Sequence, residues 1–291
     1  MSILYAIILG TIQGVSDFLP ISSTAHLTIA GKAMGLITDE HPEAWTAFMA
    51  VIQLGTLTAM LVYFAQDLWA MTKAVFIDLA TNGRGKGLAG YSRDSALVLY
   101  MIIGTLPVLF AGYELQDVIE GNLTKSMLFI GYVMVLPALF LWLAEISADH
   151  DRTLAEVGWK DALVIGLAQV VALIPGASRT GMTIMAALFM GIRRSAAARF
   201  SFLLSIPALL GSGILELYKL IGLIGSGAEV LHYSVESLVV ATVVAAVTGY
   251  AGIVWLLSFL VKHTTMPFVW YRLALGATIL MLIAGGIISP K

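Results

Sequence analysis

The chain contains 291 residues, of which 59% are hydrophobic and only 12% are charged, and its mean hydropathy is +0.93. Soluble domains carry about 25% charged residues, so this composition excludes a soluble globular protein and indicates an integral membrane protein. The chain has no cysteine, which excludes disulfides and thiolate chemistry, and its net charge of −2 gives no sign of a nucleic-acid partner.

The apolar segments predict about ten helices. Six of them approach or exceed the ~20 residues that a membrane-spanning helix needs, namely 44–65, 94–112, 124–146, 196–218, 235–260 and 268–288. The remaining four form two adjacent pairs, 2–19 with 22–35 and 159–173 with 178–191. Proline and serine interrupt both pairs. Because proline ends one helix and serine begins the next, we expect two re-entrant hairpins whose irregular tips face a polar cavity.

The two pairs belong to an internal repeat. A shift of 156 residues aligns identical polar residues of the two pairs: Gln13 with Gln169, Ser22 with Ser178 and Thr24 with Thr180. Each repeat, 1–157 or 158–291, then holds one re-entrant hairpin and three spanning helices. Because three is odd, the second repeat must be inverted relative to the first. The predicted fold is therefore an all-α membrane protein with two inverted-topology repeats in a single domain, 1–291.

Basic residues indicate the orientation in the membrane. Ten Lys and Arg residues fall on the side opposite the predicted N-terminus, against four on the side of the N-terminus. The positive-inside rule makes the side with ten cytoplasmic, so both termini are expected outside. The only long hydrophilic stretch, 66–93, is expected to be a flexible cytoplasmic turn.

Polar side chains gather where the two pairs are broken. Unsatisfied polar groups at membrane depth cost several kcal/mol each, which indicates a functional site. Because the hairpins enter from opposite faces, the first tip (residues 19–24) and the second tip (residues 175–181) are expected to meet. The N-termini of two helices would meet there and favour an anion. Hydroxyl groups and glycines add to this site: Ser22, Ser23, Thr24, Ser178, Thr180, Gly176 and Gly181.

Charged residues in the same segments suggest phosphate chemistry. Arg179 offers a planar fork that matches phosphate oxygens; the alternative is that Asp17 is its permanent carboxylate partner. Gln13 and Asp17 are four residues apart and share one helix face, so they could hold Mg²⁺ whose remaining ligands come from a substrate. His26 follows the two serines at helical spacing. It could form a nucleophile–base pair with a hydroxyl, or act as a general acid beside a phosphate.

Two stretches, GTIQGVSDFLPISSTAH (10–26) and PGASRTG (175–181), resemble the signature motifs of the undecaprenyl-pyrophosphate phosphatase family of the bacitracin-resistance type. The resemblance covers nearly the whole chain. It implies a multi-pass enzyme of the bacterial cytoplasmic (inner) membrane that removes the terminal phosphate of undecaprenyl pyrophosphate. That reaction recycles the lipid carrier for peptidoglycan synthesis and gives resistance to bacitracin. The resemblance also implies a divalent cation, Mg²⁺ or Ca²⁺, and a site open to the periplasmic side; a homodimer is a further expectation.

Carried over by position, the resemblance assigns roles to the polar residues. Ser23 is the candidate nucleophile with His26 as its proton partner, and attack by water is the alternative. Arg179 would hold the terminal phosphate, while Asp17 would act with Gln13 on the metal or serve as the base. This chain departs from the family pattern in having Gln13 and Asp17 where glutamate is usual, and Ala25 in place of glycine.

Two rival functions follow from the same observations. Inverted repeats with helix N-termini near the midplane are also found in transporters, so a transporter or flippase for an anionic lipid or phosphate is the alternative. A pure carrier does not need the Ser23 and His26 pair. A structural scaffold would leave Arg179 unexplained.

Overall fold

The computed structural model describes residues 1–37, 42–82, 90–115, 126–225 and 234–290. These ranges contain eleven α-helices, a single turn of 3-10 helix at Leu154–Glu156, and no strand. The helices are α1 Ile3–Phe18, α2 Ser23–Ala33, α3 Pro42–Tyr63, α4 Ala65–Asn82, α5 Arg93–Glu114, α6 Met127–Ser147, α7 Trp159–Val171, α8 Arg179–Phe189, α9 Arg194–Gly225, α10 Val235–Lys262 and α11 Met266–Ala284.

Six of the described helices contain a stretch long and apolar enough to cross a membrane, and they are the six predicted from the sequence. The stretches are Ala44–Tyr63, Arg93–Glu114, Met127–Ser147, Arg194–Ile214, Val235–Lys262 and Met266–Ala284. Their outward faces are apolar: Ile102, Leu106 and Phe110 of α5, spaced by four residues, are 51%, 60% and 70% exposed. A stripe of exposed apolar side chains on one helix face fits contact with lipid.

The two short pairs, α1 with α2 and α7 with α8, have matching local structures. Ser22 and Ser178 cap the second helix of each pair, and both have backbone angles in the left-handed region, with φ of 75° and 71°. The second helices also end alike, because Gly35 and Gly191 follow them with φ of 67° and 74°. Glycine is favoured there because it has no Cβ to clash in this conformation.

Each short pair packs its first helix against a long helix from the other half of the chain. A Cβ added at Gly10 of α1 would lie 2.4 Å from the carbonyl oxygen of Ala241 in α10. A Cβ added at Gly166 of α7 would lie 2.2 Å from the carbonyl oxygen of Gly104 in α5. The absence of a side chain at Gly10 and Gly166 therefore allows both close approaches.

The expected turn at 66–93 is partly wrong. Most of it forms α4, Ala65–Asn82, while residues 83–89 lie outside the described residues. The start of α4 is held by Asp67, whose carboxylate accepts a hydrogen bond from Arg199 at 2.7 Å. The helix escaped prediction because its charged residues lower the hydropathy of a segment that also carries an apolar face.

Candidate active site

The first and second tips are joined by direct hydrogen bonds. The backbone N–H of Gly176 donates to the Thr24 hydroxyl at 3.1 Å, and the Thr180 hydroxyl donates to the carbonyl oxygen of Asp17 at 2.8 Å. Threonine from each tip thus contacts the backbone of the other short pair. The expected meeting of the two tips is observed.

The turn at each tip aims a helix N-terminus toward this junction. The hydroxyl of Ser22 accepts from the N–H of Ala25 at 3.3 Å, and that of Ser178 accepts from the N–H of Gly181 at 3.1 Å. A residue other than glycine at positive φ costs about 1–3 kcal/mol, and such residues gather at functional sites. The first N–H groups of a helix have no partner within the helix, so both N-termini present donors suited to an anion.

Asp17 lies at the centre of the junction and is buried. One carboxylate oxygen accepts from the Thr56 hydroxyl at 2.6 Å, and the other accepts from the Ser23 hydroxyl at 3.2 Å. Nη2 of Arg179 donates to both oxygens at 3.2 Å. The ion pair that the sequence left as an alternative for Arg179 is therefore formed.

Arg179 keeps donor capacity beyond this ion pair. Its side chain is 15% exposed, while that of Asp17 is 4% exposed. The Nε of Arg179 is buried and has no hydrogen-bond partner among the residues that the structure describes. A buried donor without a partner costs about 1–3 kcal/mol, so a ligand that accepted this hydrogen bond would be favoured.

His26 does not hydrogen-bond to the hydroxyl groups of the neighbouring serines. Its Nδ1 lies 2.7 Å from the carbonyl oxygen of Ser22, and its Nε2 lies 2.6 Å from the hydroxyl of Tyr271 in α11. The two rings lie nearly parallel, with an angle of 11° and centroids 5.6 Å apart. Helical spacing predicted that His26 could reach the hydroxyl of Ser22 or Ser23. Its Nδ1 instead contacts the backbone of Ser22, and the Ser23 hydroxyl donates to Asp17.

Arg272 of α11 ties the two tips together, and sequence reasoning missed it. Its side chain is 1% exposed. The guanidinium donates to five backbone carbonyl oxygens, one in the first tip, two in the second tip and two in α6: Pro20, Gly176, Ala177, Val133 and Met134. The sequence did contain a signal for Arg272. A charged arginine in an apolar spanning segment has a high free-energy cost, as Arg179 has in a hairpin, and therefore needs a function.

The remaining predicted residues lie close to this centre. Gln13 is buried one turn before Asp17 on α1. The hydroxyl groups of Ser22 and Thr24 lie 3.1 Å apart, and Gly176 has a φ of 99°, which glycine adopts without strain. Thr56 of α3 was not predicted as a site residue, since nothing in its sequence neighbourhood distinguishes it from other threonines in spanning helices.

The side chains that the structure describes at the junction offer few ligands for a divalent cation. Within the described ranges, no group of three or more His, Cys, Asp and Glu side chains comes together. The single carboxylate of Asp17 already accepts from two hydroxyls and a guanidinium. Arg179 beside that carboxylate would also repel a cation.

Comparison with known proteins identifies the family. A family model described as "Bacitracin resistance protein BacA" matches residues 6–278. The chain belongs to the BacA family. The resemblance drawn from the two motifs is therefore confirmed over nearly the whole chain. With six apolar helices of spanning length, this BacA-family chain is a multi-pass membrane protein.

Relatives named "Undecaprenyl-diphosphatase" match over the full length of the chain. One from Syntrophobacter fumaroxidans is 47% identical, and the match covers 97% of this chain and 98% of the relative. One from Chlorobium chlorochromatii is 42% identical over 100% of both chains. A third, from Myxococcus xanthus, is 45% identical and covers 100% of this chain and 92% of the relative. Tyr271 and Arg272 lie within the matched BacA region, as do all the predicted site residues.

Proposed function

We propose that this protein hydrolyses undecaprenyl pyrophosphate to undecaprenyl phosphate and inorganic phosphate. This reaction would recycle the lipid carrier for peptidoglycan synthesis and give resistance to bacitracin. The observation that carries the proposal is the junction of the two tips, where Arg179 and two helix N-termini lie beside Asp17 and Ser23. Full-length relatives with the name of this activity support it.

The anion-binding groups would hold the terminal phosphate. Arg179 uses Nη2 for Asp17 and has an unpartnered Nε, so the guanidinium can bind phosphate oxygens without leaving the carboxylate. The N-termini of α2 and α8 add N–H donors, which stabilise the charge that develops on the phosphate oxygens in the transition state. Ser178, Thr180 and Gly181 would line this part of the site.

Asp17 is suited to accept a proton from Ser23, whose hydroxyl donates to it at 3.2 Å. In that step the Ser23 Oγ–H bond breaks, a bond forms from Oγ to the terminal phosphorus, and undecaprenyl phosphate leaves with the bridging oxygen. Water would then hydrolyse the phosphoserine. In the alternative, water attacks the phosphorus directly and Ser23 binds a phosphate oxygen; His26 serves as a proton partner in either route.

We also propose the finer architecture expected from the sequence. The matching caps at Ser22 and Ser178, and the crossed packing of α1 on α10 and α7 on α5, support two inverted repeats, 1–157 and 158–291, in one domain. The two short pairs would be re-entrant in the bacterial inner membrane. The site would open to the periplasmic side and both termini would lie outside, as the distribution of basic residues indicates.

A divalent cation, Mg²⁺ or Ca²⁺, is proposed to arrive with the pyrophosphate group. The described side chains supply one carboxylate, so the substrate would have to provide most of its oxygen ligands. Gln13 and Asp17 are the residues that could reach such an ion.

The proposal is tested with purified protein in detergent, measuring release of inorganic phosphate from undecaprenyl pyrophosphate. Replacing Arg179 with alanine should lower the rate by about 1000-fold or more, because the transition-state charge loses its main cation. Arg193→Ala, at an exposed position before α9, is the matched control and should retain the wild-type rate. Full activity of Arg179→Ala would contradict the proposal, and a wild-type protein that bound the lipid without releasing phosphate would favour a transporter.

A further inference from the structure

The hydroxyl of Tyr271 is the second hydrogen-bond partner of His26, and the reaction outlined above leaves it without a role. We propose that Tyr271 is a positioning residue for His26, fixing which ring nitrogen carries the proton and carrying protons to and from the other. This inference rests on the phosphatase activity proposed above.

The geometry around the imidazole fixes its proton arrangement. The carbonyl oxygen of Ser22 can only accept a hydrogen bond, so Nδ1 of His26, at 2.7 Å, must carry a proton. In the neutral ring Nε2 then has a lone pair, and it accepts from the hydroxyl of Tyr271 at 2.6 Å. Any proton that His26 takes up therefore enters at Nε2, the nitrogen that faces Tyr271.

The position of Tyr271 relative to the two tips is fixed by its neighbour in the chain. Arg272 donates to the carbonyl oxygens of Ala177 at 2.9 Å and Gly176 at 3.0 Å, so this turn of α11 is bound to the second tip. The planes of the Tyr271 and His26 rings lie within 11° of each other, and the Tyr271 hydroxyl meets the imidazole at its edge, 2.6 Å from Nε2. Helix α11 thus supplies both a support for the tips and the partner of the histidine.

The hydroxyl of Tyr271 can pass a proton to His26 while water attacks the phosphate. As the Oη–H bond of Tyr271 breaks, the Nε2–H bond of His26 forms, and Oη takes a proton from the water that the hydrolysis consumes. The hydroxide that remains bonds to phosphorus as the P–O bond to the leaving group breaks. Tyr271 stays a neutral phenol, while His26 becomes an imidazolium whose Nδ1–H still donates to Ser22. The reverse transfer returns the proton to solvent or to the product phosphate and restores the starting state.

The first test replaces Tyr271 with phenylalanine, which keeps the aromatic ring and removes only the hydroxyl. We expect kcat for phosphate release to fall about 10- to 100-fold, with KM changed less than about threefold. The thermal unfolding midpoint should stay within about 2 °C of the wild type, because the ring packing is kept. Tyr132→Phe removes a hydroxyl from a residue of α6 that is 54% exposed and should leave kcat unchanged.

The second test asks whether Tyr271 acts through His26. In a His26→Gln background, Tyr271→Phe should lower kcat by less than about twofold more, because the two residues act as one unit. Losses that multiply, or an unchanged kcat in Tyr271→Phe alone, would overturn the role of Tyr271 and leave the phosphatase intact. A wild-type protein without phosphate release would overturn both the activity and this role.

Discussion

The two tips have nearly the same backbone conformation, but the side chains in and around them differ. At the turns, Ser22 has φ and ψ of 75° and 100°, and Ser178 has 71° and 110°. Three aligned positions carry different residues in the two short pairs: Asp17 against Leu173, Ser23 against Arg179 and His26 against Met182. The first short pair therefore supplies the carboxylate, the hydroxyl and the imidazole, and the second supplies the cation.

This difference explains how a repeated backbone can form one site. If both repeats carried the same charged residue, two like charges would meet at the junction and repel each other at short range. Instead the carboxylate of Asp17 meets the guanidinium of Arg179 at 3.2 Å. The matching turns aim both helix N-termini at one place, while the different side chains give that place a carboxylate and a guanidinium.

The largest effect on activity and stability should come from giving the first short pair a residue of the second. Asp17→Leu places the residue found at the equivalent position 173 and removes the only partner of Arg179 found in the described residues. We expect phosphate release to fall by about 1000-fold and the free energy of unfolding to drop by about 3 kcal/mol, because a buried charge loses its partner. Enzyme assays and thermal unfolding in detergent measure the two effects.

Asp17→Glu is the matched control for that variant, because it keeps the carboxylate and adds one methylene. It should retain at least about a tenth of the activity. Loss of activity in Asp17→Glu equal to that in Asp17→Leu would show that the position demands aspartate itself, and full activity of Asp17→Leu would exclude the carboxylate from the reaction.

An intermediate effect is expected where the two tips are held to each other. Arg272→Lys keeps the charge but reduces the donors to three, so two of the five carbonyl oxygens lose their partner. We expect a loss of about 2 kcal/mol in unfolding free energy and a kcat about tenfold lower, since the tips shift relative to each other. Arg193→Lys, at an exposed position, should change neither quantity. If the two variants were equally stable, Arg272 would not hold the two tips together.

The smallest effect should reveal whether the two turns are equivalent. Ser22→Ala and Ser178→Ala each remove a helix cap and should cost about 1 kcal/mol of unfolding free energy. The corresponding glycine variants should cost only about 0.3 kcal/mol, because glycine adopts positive φ without strain. Denaturation of the four variants gives the comparison. A difference of more than about 1 kcal/mol between the two tips for the same substitution would break the equivalence.

The spanning helices and the two short pairs could be predicted because their signals are local. The length of an apolar run predicts a spanning helix, and a proline followed by a serine marks where one helix ends and the next begins. Helix α4 was missed because its apolar residues lie on one face and do not form one continuous run. Trp69 and Phe76, seven residues apart on one face, are 72% and 70% exposed, and a hydropathy average does not separate this face from the charged one.

The residues of the site were also readable, but their partners were not. Polar side chains are easily recognised in an apolar sequence, and the internal sequence repeat predicts that the two tips meet. The bond from Thr56 to Asp17 spans 39 positions, and that from His26 to Tyr271 spans 245, so both depend on how distant helices pack. Helical spacing predicted a contact between His26 and Ser23, but the Ser23 hydroxyl donates to Asp17, which lies on another helix.

The close approach of α1 to α10 has a consequence for biosynthesis. A Cβ on Gly10 would lie 2.4 Å from the carbonyl oxygen of Ala241, so these two residues, 231 positions apart in the sequence, are in close contact. At about 5–20 residues per second on the ribosome, the glycine face of α1 would wait roughly 10–50 s for its partner. During that interval the first tip has neither its neighbouring helix nor the guanidinium of Arg272. The site is thus completed only when the last helix has been inserted.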